Sequence, residues 1–139
     1  MPAQQVWDLS RASLISLLPF AEDHGVTMCI ENVWNLFLTG PFEFASFVDS
    51  FDSPNLKAYF DVANVLLYGF PEHWIEILGR RIGRVHVKDF RRAAGNLSGF
   101  CDLGDGDVCW PEVAAALRAT GYRGTLIAEM MPWRPDLLP

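Results

Sequence analysis

The sequence predicts an α/β protein built around a parallel sheet. Short apolar runs alternate along the chain with longer amphipathic stretches, a pattern typical of repeated strand–helix units. Half of the residues are hydrophobic and 13% are aromatic, which is enough apolar material for a packed core. The length of 139 residues suits one domain, and we expect residues 1–139 to form it.

Hydrophobic periodicity, with proline and glycine as boundaries, predicts four strands and four helices. The predicted strands cover residues 26–30, 56–60, 82–87 and 125–128. The first helix covers residues 5–24, and the others begin at Pro41, Pro71 and Pro111. Residues 88–109 are predicted to be a long loop. All four strands then run in the same direction, because strand–helix–strand crossovers are right-handed.

Composition excludes several classes of protein. The formal net charge is −6 and the pI is about 4.9, which disfavours nucleic-acid binding but allows a small anionic substrate. Three cysteines form no disulfide framework, and Cys29, in an apolar run, is predicted to be a core residue. No apolar run is long enough to span a membrane, and no secretory signal is visible. We therefore expect a cytoplasmic protein without a membrane partner.

Each predicted strand ends in an acid or an imidazole. These residues are Glu31, Asp61, His86 and Glu129, separated by 30, 25 and 43 positions. One acid at a strand end is common, but four in succession should converge at the carboxyl edge of a parallel sheet. Three carboxylates packed together repel one another unless a cation lies between them. Three oxygen ligands and one imidazole suit Mn²⁺, our first choice, or Mg²⁺ or Co²⁺.

Four motifs carry a resemblance to a known superfamily. They are residues 29–35 (CIENVWN), 59–65 (YFDVANV), 84–89 (RVHVKD) and 126–129 (LIAE), supported by 103–107 (LGDGD) and 121–124 (GYRG). In this order they resemble the xylose-isomerase-like TIM barrels, and within them the sugar and sugar-phosphate isomerases and epimerases. The resemblance covers about residues 10–130. It implies that this chain is the C-terminal half of such a barrel, because a whole one takes about 250 residues.

The resemblance also implies roles for individual residues. Glu31, Asp61, His86 and Glu129 correspond to the metal ligands of the family, and Glu31 and Glu129 also to its two catalytic carboxylates. Asn64 occupies a position where many relatives carry histidine, and is assigned to substrate binding. Arg92 matches an arginine that binds substrate oxygens, with Arg91 as its alternative.

The activity implied is metal-dependent isomerisation or epimerisation of a ketose or ketose phosphate, with proton transfer through an enediolate between the two glutamates. Two alternatives remain open. The chain is a non-catalytic fragment or pseudoenzyme, or it resembles the endonuclease IV type, which cuts DNA at abasic sites. The latter needs additional histidines, and Asn64 stands where one of them would be.

A half-barrel leaves two sheet edges open, and we expect it to expose one wide apolar face as well. The sequence therefore predicts either self-association or a missing N-terminal half. Three residues near the predicted site keep two interpretations each. Trp34 lines the pocket or packs in the core, and Lys88 and Asp89 either orient the metal ligands or form a surface pair.

Overall fold

The computed structural model describes residues 1–130 as an α/β unit with helices on one side of a parallel sheet. The helices are α1 (Ala3–Asp23), α2 (Pro41–Asp49), α3 (Pro71–Leu78) and α4 (Trp110–Ala119). The strands are β1 (Met28–Glu31), β2 (Leu56–Asp61), β3 (Ile82–Val87), β4 (Asp89–Phe90), β5 (Phe100–Cys101) and β6 (Leu126–Ala128). Within the described residues, no helix is both long and apolar enough to cross a membrane.

The main sheet has the order β1-β2-β3-β6, and every neighbouring pair is parallel. The predicted fold class, a parallel half-barrel, is therefore confirmed. Glu31 pairs with Tyr59 and Asp61 pairs with His86, so the carboxyl ends of the strands lie side by side. The sequence prediction placed β1 two residues too early. Val26 instead closes the end of α1, since its N–H donates to the Ala21 carbonyl oxygen at 2.8 Å.

One side of the sheet, which we call the helix face, holds the core. Leu56, Ala58 and Phe60 of β2 and Val85 of β3 are at most 1% exposed and pack against α2, α3 and α4. Phe60 stacks on Trp74 of α3, with ring centroids 6.2 Å apart. The predicted helix starts at Pro41 and Pro71 are confirmed. Proline suits the first turn of a helix, where its missing N–H leaves no bond unmade.

The opposite side, the open face, carries Cys29, Lys57, Tyr59 and Arg84 below the strand ends. The expectation of a wide apolar face is wrong, because alternation along β2 sends Lys57 and Tyr59 to this side while Leu56 and Phe60 enter the core. Cys29 is likewise only half-buried, not a core residue. A Cβ at Gly83 would lie 2.7 Å from the Lys57 Cβ and 2.8 Å from the Cys29 Sγ, so glycine permits the close approach of these strands.

The segment predicted as a long loop contains regular structure. Strands β4 and β5 pair antiparallel, Asp89 with Cys101 and Phe90 with Phe100. Asp89 organises this segment from a fully buried position. Its carboxylate accepts hydrogen bonds from the backbone N–H groups of Phe90, Gly104 and Val108 and from the Trp110 indole. A side chain at Gly106 would collide with this carboxylate, which explains the glycine there.

Candidate metal centre

The structure brings four side chains together at the carboxyl edge of the sheet. Glu31, Asp61 and His86 end or nearly end β1, β2 and β3, and Glu129 directly follows β6. Each offers one ligand atom, and these atoms all lie within 4.8 Å of one another. The convergence follows from the parallel topology, since strands of one direction end at one edge.

His86 lies at the middle of this cluster. Its Nδ1 is 3.1 Å from Glu31 Oε1, 3.8 Å from Asp61 Oδ2 and 3.8 Å from Glu129 Oε2. The ring of Tyr59 covers the imidazole, with ring centroids 3.9 Å apart. The three carboxylates therefore share one imidazole edge, and Tyr59 supports the ring from the open face.

Asp61 is held by two asparagines. Its backbone N–H donates to Asn32 Oδ1 at 2.8 Å, and Asn32 Nδ2 donates back to the Asp61 carbonyl oxygen at 2.9 Å. The Asn64 N–H donates to Asp61 Oδ1 at 2.7 Å. One carboxylate oxygen is thus used within the protein, while Oδ2 is turned toward His86 and Lys88.

Lys88 reaches into the same cluster from the end of β3. Its side chain is 7% exposed, its Nζ lies 3.2 Å from Asp61 Oδ2, and it also contacts Glu129 Oε2. The ammonium lies 4.7 Å from the centroid of the Phe100 ring, within range of a cation–π contact. Lys88 therefore contacts the predicted ligands, and the interpretation of Lys88 and Asp89 as a surface pair is wrong.

Burial and charge shift the pKa values of these groups in different directions. Desolvation raises the pKa of Asp61 to about 6, although Lys88 and the Asn64 N–H oppose the rise. For Glu129, desolvation works upward, but the hydrogen bond and charge of Lys88 outweigh it and lower the pKa. Burial acts to lower the pKa of Lys88, yet Asp61 and Glu129 together raise it. Lys88 thus remains a cation beside the two carboxylates.

The residues present fit a divalent metal ion. Within the described part of the chain, Asp61 Oδ2 and Glu129 Oε2 are buried without any hydrogen bond of suitable geometry, although Lys88 Nζ lies near both. Unsatisfied carboxylate oxygens that face one another are unfavourable unless a cation joins them. Three carboxylates and an imidazole form a ligand set for Mn²⁺, Mg²⁺, Co²⁺ or Zn²⁺. The cluster can therefore hold a divalent cation, and its donor set does not single out manganese.

The two predicted substrate-binding residues lie outside the four-residue cluster. Asn64 is buried, and its Nδ2 donates to the Asn32 carbonyl oxygen at 2.9 Å. Arg92 donates to the Gly69 carbonyl oxygen at 2.7 Å, and its guanidinium lies 5.0 Å from the Phe70 ring centroid. The alternative residue, Arg91, donates a hydrogen bond from its Nε to the Asp105 carbonyl oxygen at 3.0 Å. Their roles in substrate binding stay predictions.

Sequence reasoning missed Asn32 and left Lys88 and Trp34 undecided. Asn32 is 3% exposed and joins the ends of β1 and β2 through Asp61 and Asn64. Trp34 packs against the core, while its role in lining a pocket stays a prediction. It packs against Phe90 and Phe100, while its indole N–H donates to the Asn64 carbonyl oxygen at 2.7 Å. An amide directly after a strand-end acid was the available signal for Asn32.

A comparison with known families supports the topology. A family model described as a xylose isomerase-like TIM barrel matches residues 2–137. Among curated proteins, an uncharacterized protein of Methanocaldococcus jannaschii is 29% identical in an alignment of 134 residues that covers 90% of this chain and 44% of that protein. The chain spans about half the length of the relatives it matches.

Solved structures give the same result. A D-tagatose 3-epimerase-like protein is 28% identical, with a TM-score of 0.76 over 88% of this chain and 47% of its own. A xylose isomerase domain protein from Planctomyces limnophilus is 25% identical, with a TM-score of 0.73 over 96% of this chain and 47% of its own. The IOLI protein, solved with a zinc atom, is 18% identical and shares the fold, with a TM-score of 0.81 over 98% of this chain and 50% of its own.

Proposed function

The chain belongs to the xylose isomerase-like TIM-barrel family, and from that premise we propose that it forms the metal-binding half of a sugar isomerase or epimerase. The substrate class is a ketose or ketose phosphate. One observation carries the proposal: three carboxylates and an imidazole, delivered by four parallel strands, lie with their ligand atoms within 4.8 Å of one another. A solved relative at 28% identity is described as D-tagatose 3-epimerase-like, which supports this substrate class.

The exposure of the carboxylates supports a division of roles among them. The Asp61 side chain is fully buried, whereas those of Glu31 and Glu129 are 28% and 40% exposed. The two glutamates can therefore reach a substrate as well as a metal, while Asp61 serves as ligand alone. Glu31 and Glu129 are thus the pair we assign to proton transfer.

The proposed reaction transfers a proton to and from a carbon next to the ketone. One glutamate takes this proton, which leaves an enediolate. When the carbon is the stereogenic one beside the ketone, the other glutamate returns a proton to it from the opposite face and inverts it. When it is the terminal hydroxymethyl carbon, a proton returned to the former ketone carbon, together with a shift of the hydroxyl proton between the two oxygens, gives an aldose. A divalent cation, when bound, supplies the positive charge that favours loss of this weakly acidic proton. Glu31, Asp61, His86 and Glu129 would hold it.

The two alternatives receive less support. An endonuclease of the endonuclease IV type needs further histidines, and the described cluster contains one, His86. Asn64 stands where another would lie, and the net charge of −6 opposes DNA binding. The non-catalytic alternative has the same metal cluster as the enzyme. Only a measurement of proton transfer separates those two.

We also infer that the open face is covered in the working protein. The outer strand β6 leaves Leu126 and Ile127 exposed, and Leu17 and Phe20 of α1 are exposed as well. Exposed sheet edges favour pairing with further strands. The occupant is another half-barrel, from a second copy or from residues outside this chain. Light scattering coupled to size-exclusion chromatography tests the first source, and a stable monomer would exclude it.

Solvent-deuterium exchange tests the proposed reaction. The protein is incubated in D2O with Mn²⁺, Mg²⁺, Co²⁺ or Zn²⁺ and a panel of ketopentoses, ketohexoses and their phosphates. We expect deuterium at the carbon next to the ketone of at least one sugar, detected by proton NMR. Glu31→Gln and Glu129→Gln should each abolish exchange, since each removes a proton acceptor.

Glu112→Gln is the matched control, because Glu112 is an exposed glutamate in the first turn of α4. Its exchange rate should equal that of the unaltered protein. Metal binding, measured by calorimetry on the same samples, completes the test. If the protein binds metal but exchanges no proton in any sugar of the panel, the non-catalytic alternative is correct.

A further inference from the structure

Lys88 is the one described cation that contacts two of the proposed metal ligands. Its Nζ lies 3.2 Å from Asp61 Oδ2 and contacts Glu129 Oε2, and the Phe100 ring lies behind it at 4.7 Å. The side chain is 7% exposed, so water screens its charge weakly. Two carboxylates and an aromatic ring thus fix the position of this positive charge.

The formal charges of the site show how Lys88 changes the net charge that a bound cation meets. Glu31, Asp61 and Glu129 contribute three negative charges, and a metal-binding imidazole such as His86 is neutral. Lys88 returns one positive charge. Two negative charges remain, which is the charge that one divalent cation neutralises. Without Lys88, the same ligands would match a trivalent ion.

We propose that Lys88 sets the site's preference for a divalent over a trivalent cation, by placing a positive charge beside Asp61 and Glu129. The inference rests on the proposed metal site, not on any particular sugar. It follows from Coulomb's law, because the repulsion between Lys88 and a bound ion grows in proportion to the charge of that ion. Lys88 therefore weakens binding of every cation, and of a trivalent one most.

Lys57 offers a matched comparison on the same strand system. It also extends from the sheet on the open face, but its Nζ donates to the Arg80 carbonyl oxygen at 3.0 Å. It precedes Asp61 by four residues, a separation of about 13 Å along a strand. Removal of this charge should leave ion preference unchanged, so a change specific to Lys88 cannot come from net charge alone.

The test compares Mn²⁺ and Tb³⁺ binding in the unaltered protein and in Lys88→Met, Lys88→Arg and Lys57→Met. Calorimetry follows Mn²⁺, and sensitised luminescence follows Tb³⁺. In Lys88→Met we expect both ions to bind more tightly, and the ratio of Tb³⁺ to Mn²⁺ affinity to rise by about tenfold or more. Lys88→Arg keeps the charge and should keep the ratio, as should Lys57→Met.

Thermal unfolding in EDTA provides a second readout that needs no bound ion. Lys88→Met leaves Asp61 and Glu129 without the lysine cation, so its melting temperature should fall by about 5 °C or more. Addition of Mn²⁺ should then raise the melting temperature of Lys88→Met by more than it raises that of the unaltered protein. Methionine keeps most of the apolar stem, so a purely packing role predicts little change.

The outcomes separate this inference from the proposed function. An unchanged Tb³⁺ to Mn²⁺ ratio in Lys88→Met overturns the role of Lys88, even if the protein turns over a sugar. A shifted ratio without any proton exchange supports the role of Lys88 in ion preference and contradicts the proposed isomerase or epimerase activity. Absence of metal binding in both the unaltered protein and Lys88→Met overturns both.

Discussion

The helix face and the open face of the sheet are built from the same strands but differ in almost every property. In β2, Leu56, Ala58 and Phe60 point to the helices and are at most 1% exposed. Lys57 and Tyr59 alternate with them and point to the open face, where each is half-buried. Adjacent residues of one strand thus belong to a dry core and to a polar, partly solvated surface.

This difference shows that stability and chemistry are separated within a single strand. The helix face carries the large apolar side chains whose burial favours folding. The open face carries the charged groups, which lie below and around the metal cluster at the strand ends. Asp61 belongs to the open face but is completely buried, and Asp89 lies just beyond β3, where four donors satisfy it. The buried carboxylate of Asp89 is thus fully hydrogen-bonded, whereas one buried oxygen of Asp61 faces Lys88 without a hydrogen bond of suitable geometry.

The largest expected effect comes from neighbouring aromatic residues on opposite faces. Phe60→Ala should destabilise the protein by about 3–5 kcal/mol, because it leaves a cavity beside Trp74 in a closely packed core. Tyr59→Ala should cost about 1 kcal/mol, because its side chain is already partly solvated. Urea unfolding monitored by circular dichroism measures both free energies.

For metal binding, we expect Tyr59→Ala to have a larger effect than Phe60→Ala. Tyr59 covers the His86 ring, so Tyr59→Ala should weaken Mn²⁺ binding, measured by calorimetry on the folded protein. Phe60→Ala should retain Mn²⁺ affinity wherever the protein is folded. Equal losses of stability in the two variants would contradict the separation of the faces.

Much of this arrangement could be predicted from the sequence because it depends on strand periodicity and on parallel topology. The positions of the four clustered side chains follow from strand ends spaced one strand–helix unit apart, and the family resemblance places them in the same order. Asn32 could not be predicted in the same way, because its role depends on the side-chain direction at the end of β1. The position of Lys88 likewise depends on the direction of its side chain just after β3, toward Asp61 and Glu129.

The wrong expectation of an apolar face has a simpler cause. That expectation follows from the apolar content of the predicted strands, although residues 56–61 (LKAYFD) alternate between apolar and more polar side chains. That alternation is the mark of a strand with one polar face. The short pairing of β4 with β5 was missed for another reason. Two-residue strands have no detectable period, and Asp89 holds this segment through contacts distant in sequence.

The raised pKa of Asp61 predicts that the unfolding free energy of the metal-free protein depends on pH, with an effect of intermediate size. Burial raises its folded pKa to about 6 from an ordinary value of 3.8, so the folded state binds more protons than the unfolded state between these pH values. Stability should therefore fall as pH rises from about 4 to about 6, by up to about 3 kcal/mol, and stay level above this range.

Comparison with Asp61→Asn isolates this contribution from other titrating groups. In EDTA, the difference in unfolding free energy between the two proteins should change across the same pH range and be constant above it. A difference that does not vary between pH 4 and 7 would mean that Asp61 is not desolvated in the folded protein. Asp61→Asn should also bind Mn²⁺ more weakly, since it removes a charged ligand.

The smallest effect is expected at the outer surface of the helix layer, where Arg81 and Asp49 pair. Two bonds join them, Nε to Oδ1 at 2.6 Å and a second guanidinium nitrogen to Oδ2 at 2.7 Å. The hydrogen bond from Arg81 lowers the pKa of Asp49, so the stabilisation is present above the ordinary carboxyl pKa and is lost as pH falls through the lowered one. Both side chains are more than a third exposed, which limits the stabilisation by the pair to about 0.5 kcal/mol.

Asp49→Asn should lower the unfolding free energy by that amount at pH 7 and low salt. In about 0.5 M salt the loss should be smaller, because dissolved ions screen the two charges. The same substitution at Asp52, an exposed acid nearby in sequence without a hydrogen bond from Arg81, serves as control. A loss above about 2 kcal/mol would show that the helix layer, like the metal centre, depends on a charge pair, and would remove the distinction between the two faces.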